Sequence, residues 1–375
     1  MTLEPLESAS PLIVYFDIKS PYAYLALEPT RELERELGTA FDWRPFVLDI
    51  PSYLGSAKLD KKGKVAQQNR TAGQWSGVKY AYYDCRRYAS LRDMIVRGTV
   101  KIWDTHLVAT AMLWAREHGH QTLHRFIDLV YLPFWKRQFD PEDMAAIETT
   151  LSAAGADGAR FADWARSEGL SLNDRLQAEA FDAGVYGVPT YIADGEKYFG
   201  REHLPRLHWQ LTGQQGPPPD IAYSISSGTS LDYPRPKTIT IGIDASLDSL
   251  LAVPALKALL DRNALEAEWI RVEPRRPRVL PPSEDQSRGA RHKHFRARNE
   301  QADLQRYTPP GLEPGDIAAA LTEELKTHGI TLAQEGPPEI IRPALPGVIV
   351  KVDEELYIGR QHLPLLAIHL AQGSG

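Results

Sequence analysis

Apolar residues in this chain fall into two kinds of pattern. Leu12-Ile13-Val14-Tyr15-Phe16 is an unbroken apolar run that stops at Asp17, and Ile239-Thr240-Ile241-Gly242-Ile243 is a second that stops at Asp244. Short runs of this composition predict buried strands. After the first, apolar positions recur at helical spacing from Ser20 to about Leu37, where Gly38 is placed to end the helix. Pro29 inside that stretch predicts a kink rather than a break. Phe41 to Val47 predicts a second strand, with Pro45 at a sheet edge. Amphipathic helices follow over Thr105 to His118, Leu123 to Lys136 and Pro141 to Ala154, then Ala159 to Glu168 and Asn173 to Ala183. Two short strands flank Asp194-Gly195, a hairpin signal, and a last helix opens at Arg201.

Much of this pattern occurs twice. Gly187-Val188-Pro189-Thr190-Tyr191 leads through Asp194-Gly195 to Phe199-Gly200-Arg201-Glu202-His203-Leu204-Pro205. Far downstream, Leu345-Pro346-Gly347-Val348-Ile349 leads through Asp353-Glu354 to Ile358-Gly359-Arg360-Gln361-His362-Leu363-Pro364. Between the copies, Gln214 to Lys237 is rich in Gly, Pro and Ser and lacks periodicity, as a linker does. The predicted organisation is a first domain over 1–213, a linker over 214–237 and a shorter second domain over 238–375 that lacks most of the helical insert. The order strand, helix, strand, helices, hairpin, helix is a thioredoxin-type layout, with helices on both faces of a mixed sheet. The expected class is α/β: tandem thioredoxin-like domains, the first with a helical insertion and the second degenerate.

The copies diverge just after the opening strand. The first reads Ser20-Pro21-Tyr22-Ala23-Tyr24-Leu25 and the second Leu247-Asp248-Ser249-Leu250-Leu251. Pro21 suits the first helical position and Ser20 the cap before it, with its oxygen facing the free amides of the first turn. Read alone, Ser20 is an ordinary helix cap. In a thioredoxin-like fold the Val188-Pro189-Thr190 loop packs beside this helix start, and a strand edge there can pair with an extended peptide. Gly200-Arg201-Glu202-His203 opens the last helix, where amides receive carboxylates and Glu202 an ammonium group. Together these suit a small peptide with a free α-amino acid end and a sulfur near Ser20. In the second copy a gapless overlay puts Leu247 at the Ser20 position, a slip of one residue restores a hydroxyl, and Pro346 keeps the proline of the loop.

Bulk composition narrows the alternatives. The chain has 375 residues, 43% hydrophobic and 25% charged, a globular balance too long for one ordinary core. A formal charge of −6 gives no reason to expect a nucleic-acid partner. Neither a signal peptide nor a membrane-length apolar run is evident, so a cytoplasmic protein without a membrane partner is expected. The single cysteine, Cys85, excludes an intrachain disulfide and a CxxC centre, which argues against a thiol–disulfide oxidoreductase.

The residues of the first corner, Phe16-Asp17-Ile18-Lys19-Ser20-Pro21-Tyr22-Ala23-Tyr24-Leu25, together with Gly187-Val188-Pro189-Thr190 and Phe199-Gly200-Arg201-Glu202-His203-Leu204, resemble the 2-hydroxychromene-2-carboxylate isomerase family. That family is close to kappa-class glutathione transferases and DsbA-type oxidoreductases. The resemblance spans the first module; the second resembles the same DsbA-like fold in degraded form. It implies a glutathione cofactor. Ser20 is then the catalytic residue that hydrogen-bonds the sulfur, and Val188, beside Pro189, pairs through its backbone with the cysteinyl part. Arg201 and Glu202 fall at the γ-glutamyl position, where the family more often has a small polar residue and Asp. It also implies thiolate addition to a bicyclic aromatic acid, ring opening, bond rotation and elimination.

Other residues carry weaker signals. Lys19 is either a charge at the mouth of this site or a solvated lysine. Tyr22, and Tyr83 and Arg87 within Lys79 to Tyr88, are candidates for an aromatic acid substrate; the alternative is a helix with its tyrosines on the core. Arg288 to Arg298 is a basic cluster, read as a solvated helix face before an anion site. His118, His120 and His124 lack a carboxylate or Cys pattern to complete a metal site and read as a polar helix–helix turn, so no metal is expected. Three functions compete: a glutathione-dependent isomerase or transferase, a dithiol oxidoreductase, and a non-catalytic binding module. The second domain is expected to form an internal pseudo-dimer with the first, two beads on a flexible linker being the alternative; a homodimer is left open.

Overall fold

The computed structural model describes residues 3–60, 64–225, 233–273, 279–341 and 345–371. It divides into two units: Met1–His203 with Leu207–Gly216 and Leu280–Asn299, and Leu204–Arg206 with Pro217–Val279 and Glu300–Gly375.

The first unit is built on β1 (Ile13–Phe16), α1 (Pro21–Leu37), β2 (Asp42–Pro45), β5 (Thr190–Ala193) and β6 (Glu196–Phe199). Its sheet runs β2-β1-β5-β6, with β1 and β2 parallel and the other neighbours antiparallel. Pro45 therefore lies on an edge strand, where a missing N–H does no harm. Between β2 and β5 come α2 (Ile50–Leu54), a small hairpin of β3 (Ala57–Leu59) and β4 (Val65–Gln68), and the insert. The insert comprises α3 (Ala72–Ser90), α4 (His106–Glu117), α5 (His120–Trp135), α6 (Met144–Ala154), α7 (Phe161–Trp164), a π-turn over Ala165–Gly169, and α8 (Leu170–Asp182). The short helix α9 (Leu204–Leu211) follows β6.

Buried aromatics join α1, β1 and α5. The Tyr131 ring stacks on Tyr24 at 5.4 Å and on Phe16 at 5.9 Å, and its hydroxyl donates to the Asp17 carbonyl at 2.9 Å. This stack pins the start of α1 against the end of β1. The far end of α1 stops at Gly38, whose φ of 61° is left-handed and open to glycine without cost.

The second unit repeats the sheet with β7 (Ile239–Ile243), β8 (Glu268–Arg271), β9 (Ile349–Val352) and β10 (Glu355–Ile358) in the order β10-β9-β7-β8 and the same pairing directions. Its helices are α10 (Leu247–Arg262), α12 (Ile317–Thr327), α13 (Pro338–Ile341) and α14 (Leu363–Ala371); α11 (Arg288–Tyr307) is shared in sequence, its residues through Asn299 belonging to the first unit. Two similar mixed sheets in one chain bear out the duplication read from the repeated motifs.

Part of the stretch read as a linker is built into the second unit. Asp220 makes paired contacts of 2.7 and 2.8 Å to Arg360, and the Tyr223 N–H donates to the Gln361 carbonyl at 2.9 Å. Residues 226–232 of that stretch lie outside the described residues. Among the described residues no helix is long and apolar enough to cross a membrane.

Candidate active site

Where β1 ends, buried Asp17 organises the turn. Its carboxylate accepts the Lys19 N–H at 3.2 Å, the Leu48 N–H at 2.8 Å and the Thr105 hydroxyl at 2.9 Å. The turn delivers Ser20 to the head of α1, where its Oγ accepts the Ala23 N–H at 3.2 Å. Pro21 takes the first helical position, and the first turn carries no acidic side chain.

The second element arrives from 168 positions downstream. The Ser20 hydroxyl donates to the Val188 carbonyl at 3.4 Å, and the Val188–Pro189 bond is cis. A bond that long is weak and is readily exchanged for a better acceptor. Gly187 is needed here, since a Cβ at this position would meet the Phe199 ring at 2.6 Å. The Thr190 hydroxyl ties back to the Gly187 carbonyl at 2.7 Å, and the Gly200 N–H to the Pro189 carbonyl at 3.0 Å. Val188 is 4% exposed, and among the described residues no protein acceptor reaches its N–H. A buried amide without an acceptor is costly unless something else takes it.

The remaining site residues from the sequence are placed as follows. Lys19 is not a solvated lysine: its side chain is 6% exposed, and its ammonium lies 3.6 Å from Asp17 and donates to the Trp103 carbonyl at 3.3 Å. Proximity in the turn that holds Asp17 draws it inward. Arg201 is buried with its guanidinium 4.4 Å from the Tyr88 ring centre. Glu202 folds back over Gly200 (φ 113°), where a Cβ would meet its carboxylate oxygen at 2.3 Å. Tyr22 is half-buried on the first turn of α1. Arg87 pairs with Asp84 at 3.4 Å and lies 4.8 Å from the ring centre of Tyr83, which is 38% exposed. Tyr80 and Tyr88 are buried on the same helix, as the core-packing alternative requires. Burial pushes the Asp84 carboxyl up to about 6, against the opposing charges of Arg87 and Arg201. Burial also raises the Cys85 thiol well above its ordinary value, aided by the Asp84 charge, so it is no ready nucleophile.

In the second unit the same corner is closed by the chain itself. The ladders pair Tyr15 with Thr190 and Gly242 with Ile349, so Pro189 corresponds to Val348 and Val188 to Gly347. Pro346 is therefore not the counterpart of Pro189; it falls at the Gly187 position. Ser246, not Leu247, caps the helix, accepting the Ser249 N–H at 3.2 Å as Ser20 accepts that of Ala23. One residue is missing from this turn, which the gapless overlay could not register. Asp248 consequently stands where Tyr22 stands in the first unit. Its carboxylate accepts the Val348 N–H at 2.8 Å, the Arg360 N–H at 3.2 Å and the Arg360 guanidinium at 2.8 Å. Asp244 accepts the Gly347 N–H at 3.1 Å, so the amide left open at Val188 is satisfied here.

The basic stretch on α11 is not a solvated face within the first unit. Arg288 lies 4.1 Å from the Phe181 ring centre, Arg291 pairs with Asp182 at 2.7 Å, and the His292 ring stacks on Tyr53 at 4.0 Å. These contacts bring Tyr53 and Tyr186 under one imidazole, Tyr186 edge-on at 5.3 Å. Nothing in the spacing of the arginines signals aromatic partners more than 100 positions upstream.

Comparison with known proteins agrees with this description. The model of a DSBA-like thioredoxin domain matches residues 11–212, more than half of the chain. A 2-hydroxychromene-2-carboxylate isomerase from Sphingobium xenophagum is 26% identical over 202 residues, which cover 52% of this chain and 95% of that protein. A solved 2-hydroxychromene-2-carboxylate isomerase is 19% identical, with 54% of this chain and 94% of that one covered and a TM-score of 0.41. A solved protein described as a probable DsbA oxidoreductase from Streptomyces coelicolor is 16% identical, covering 58% and 97%, also at a TM-score of 0.41.

Proposed function

We propose that this chain, which belongs to the DSBA-like thioredoxin domain family, is a glutathione-dependent isomerase of the 2-hydroxychromene-2-carboxylate type, with its site at the Ser20 corner. The observation that carries this reading is the pairing of the Ser20 hydroxyl with the backbone of buried Val188, whose N–H has no acceptor among the described residues. Such an edge suits the cysteinyl part of a tripeptide, whose carbonyl would take that N–H. Dithiol exchange needs two thiols, and the chain's one cysteine is buried and inert, so a thiol must come from outside.

When bound, glutathione supplies the thiolate that serves as nucleophile. Ser20 would then hold the sulfur: its hydroxyl would leave the weak Val188 bond and donate to the anion, while the α1 dipole favours negative charge at that end. The absence of an acidic side chain from that turn keeps the anion position unopposed. Backbone amides at Arg201 and Glu202 open the last helix and would receive the γ-glutamyl end. The Arg201 guanidinium supports that loop from beneath through Tyr88. Tyr22, and Tyr83 under Arg87, would meet an aromatic acid. Lys19 takes no part, because its charge is committed to Asp17. The same activated sulfur would serve kappa-like conjugation of an electrophile.

Calorimetric titration of the full chain with glutathione tests this reading, followed by turnover of 2-hydroxychromene-2-carboxylate with and without it. Binding and a glutathione-dependent rate are expected. No heat of binding, or an equal rate without glutathione, would overturn it.

A further inference from the structure

We propose that Glu34, His120 and His124 form a binding site for one divalent transition-metal ion, zinc foremost, joining α1 to α5. Spacing along the chain hides the set: Glu34 comes from α1, and the two histidines come from the first turns of α5, 86 positions or more away. His120 and His124 are four apart and share one helix face. Their Nε2 atoms are 3.1 Å apart; Glu34 Oε1 is 2.9 Å from that of His120, and Glu34 Oε2 is 3.6 Å from that of His124. Ligand atoms around tetrahedral zinc, at bonds of about 2.0–2.1 Å, are separated by about 3.3 Å. The two imidazole nitrogens are close to that spacing, and each has a Glu34 oxygen near it, Oε1 for His120 and Oε2 for His124.

The site is built rather than incidental. Glu34 is held by the Phe41 N–H at 2.5 Å and the Trp43 indole N–H at 3.3 Å, the kind of outer support that fixes a ligating carboxylate. The Trp43 ring meets His124 edge-on at 5.2 Å. The His120 side chain is 40% exposed, which leaves a path for the ion and a position for water. Two imidazoles with one carboxylate favour zinc, copper or nickel over calcium or magnesium. Along α1 the set lies roughly 20 Å from Ser20, at 1.5 Å per residue, so it belongs to a different place from the candidate active site.

Proton accounting points the same way. Arg31 Nε–H donates to His124 Nδ1 at 2.9 Å, which leaves the proton of a neutral His124 on Nε2, facing His120. A neutral His120 can accept that proton, but its Nε2 then confronts a carboxylate oxygen with nothing between them. A protonated His120 satisfies Glu34 but sets N–H against N–H. One cation shared by three lone pairs removes both conflicts and gives up only the Arg31 bond to His124 Nδ1. His124 offers an Nε2 lone pair only in its other neutral tautomer. Loading moves its proton from Nε2 to Nδ1. Arg31 then gives up Nδ1 and keeps Asp128 at 2.6 Å and the His124 carbonyl at 3.2 Å. Arg31 is thus a competitor of the metal.

The test uses the full chain, free of any affinity tag and stripped with a chelator, with zinc titrated against a chromophoric chelator. Cobalt(II) absorption in the visible reports the coordination. The expected result is one zinc per chain at micromolar or lower concentration. His120→Ala and His124→Ala should each weaken binding at least tenfold, and Arg31→Gln should tighten it. Zinc should raise Tm of the parent protein and not of His120→Ala, whose exposed position leaves the fold intact. Three results would overturn the proposal: no competition for zinc at micromolar levels, zinc held unchanged by both histidine variants, or weaker binding in an Arg31→Gln variant whose circular dichroism is unaltered.

Discussion

The two corners of this molecule are assembled from the same parts and differ in what fills them. Each has an apolar strand ending in Asp, a serine capping the next helix, and a strand edge alongside. In the second, Asp248 lies at the helix start and accepts from Val348 and Arg360, while Asp244 takes the Gly347 amide. In the first, Asp17 is occupied by Lys19, Leu48 and Thr105, and the Val188 amide is left open. A carboxylate at a helix N-terminus satisfies the same amides and dipole that attract an external anion. The second corner carries its anion within the chain; the first has room to borrow one. A fold retained twice does not retain a site twice: the acid at the Tyr22/Asp248 position and the different partners of Asp17 and Asp244 separate the cases.

The largest effect should come from emptying the filled corner. Asp248→Ala removes the acceptor of Val348 and one of the two acids on the buried Arg360, and breaking such a pair costs about 3–5 kcal/mol. Denaturant unfolding should show that loss, and a change below about 1 kcal/mol would deny Asp248 its role. The buried arginine of the first unit offers the parallel case, since Arg201 acts on Asp84 rather than on an acid of the helix start. Asp84 has its folded pKa raised to about 6 from an unfolded value near 3.9, so the folded state binds its proton more tightly. Its stabilising contribution is complete below about pH 4 and is lost as pH rises through 6. Asp84→Asn should therefore gain on the parent protein between pH 4.5 and 7.5, by at most roughly 3 kcal/mol. Equal melting differences at the two pH values would contradict this.

Transplanting the plug sharpens the contrast. Tyr22→Asp puts the carboxylate of the second corner at the equivalent place in the first, and calorimetry should show glutathione binding weakened at least tenfold, about 1.4 kcal/mol. Unchanged affinity would mean that the helix start is not where the anion sits. The smallest effect is expected from Ser246→Ala, which loses a helix cap worth about 1 kcal/mol and leaves glutathione binding alone.

Much of the architecture was legible because its signals are local. The strand ends at Asp17 and Asp244, the hairpins at Asp194-Gly195 and Asp353-Glu354, and the repeated Gly-Arg-x-His-Leu-Pro segments mark two copies of one fold without any knowledge of contacts. Ser20 and Val188-Pro189 were legible for the same reason, each sitting at a motif boundary. What escaped depends on register and on distance. Pro346 looks like the partner of Pro189 on paper, but strand pairing assigns Val348 to that place, and register follows the ladder rather than the spelling. Lys19 reads as a charge at the site mouth or a solvated lysine until Asp17 and Trp103 are folded around it. His120 and His124 lack a carboxylate until α1 brings Glu34 beside them.

The central claim is that the Ser20 hydroxyl holds a borrowed sulfur as thiolate. Ultraviolet titration of the glutathione thiolate on the protein measures this directly. The account predicts a bound thiol pKa well below the ordinary value of about 8.5, returning upward by about one unit or more in Ser20→Ala. A titration curve identical in the parent protein and in Ser20→Ala, with glutathione bound to both, would contradict it.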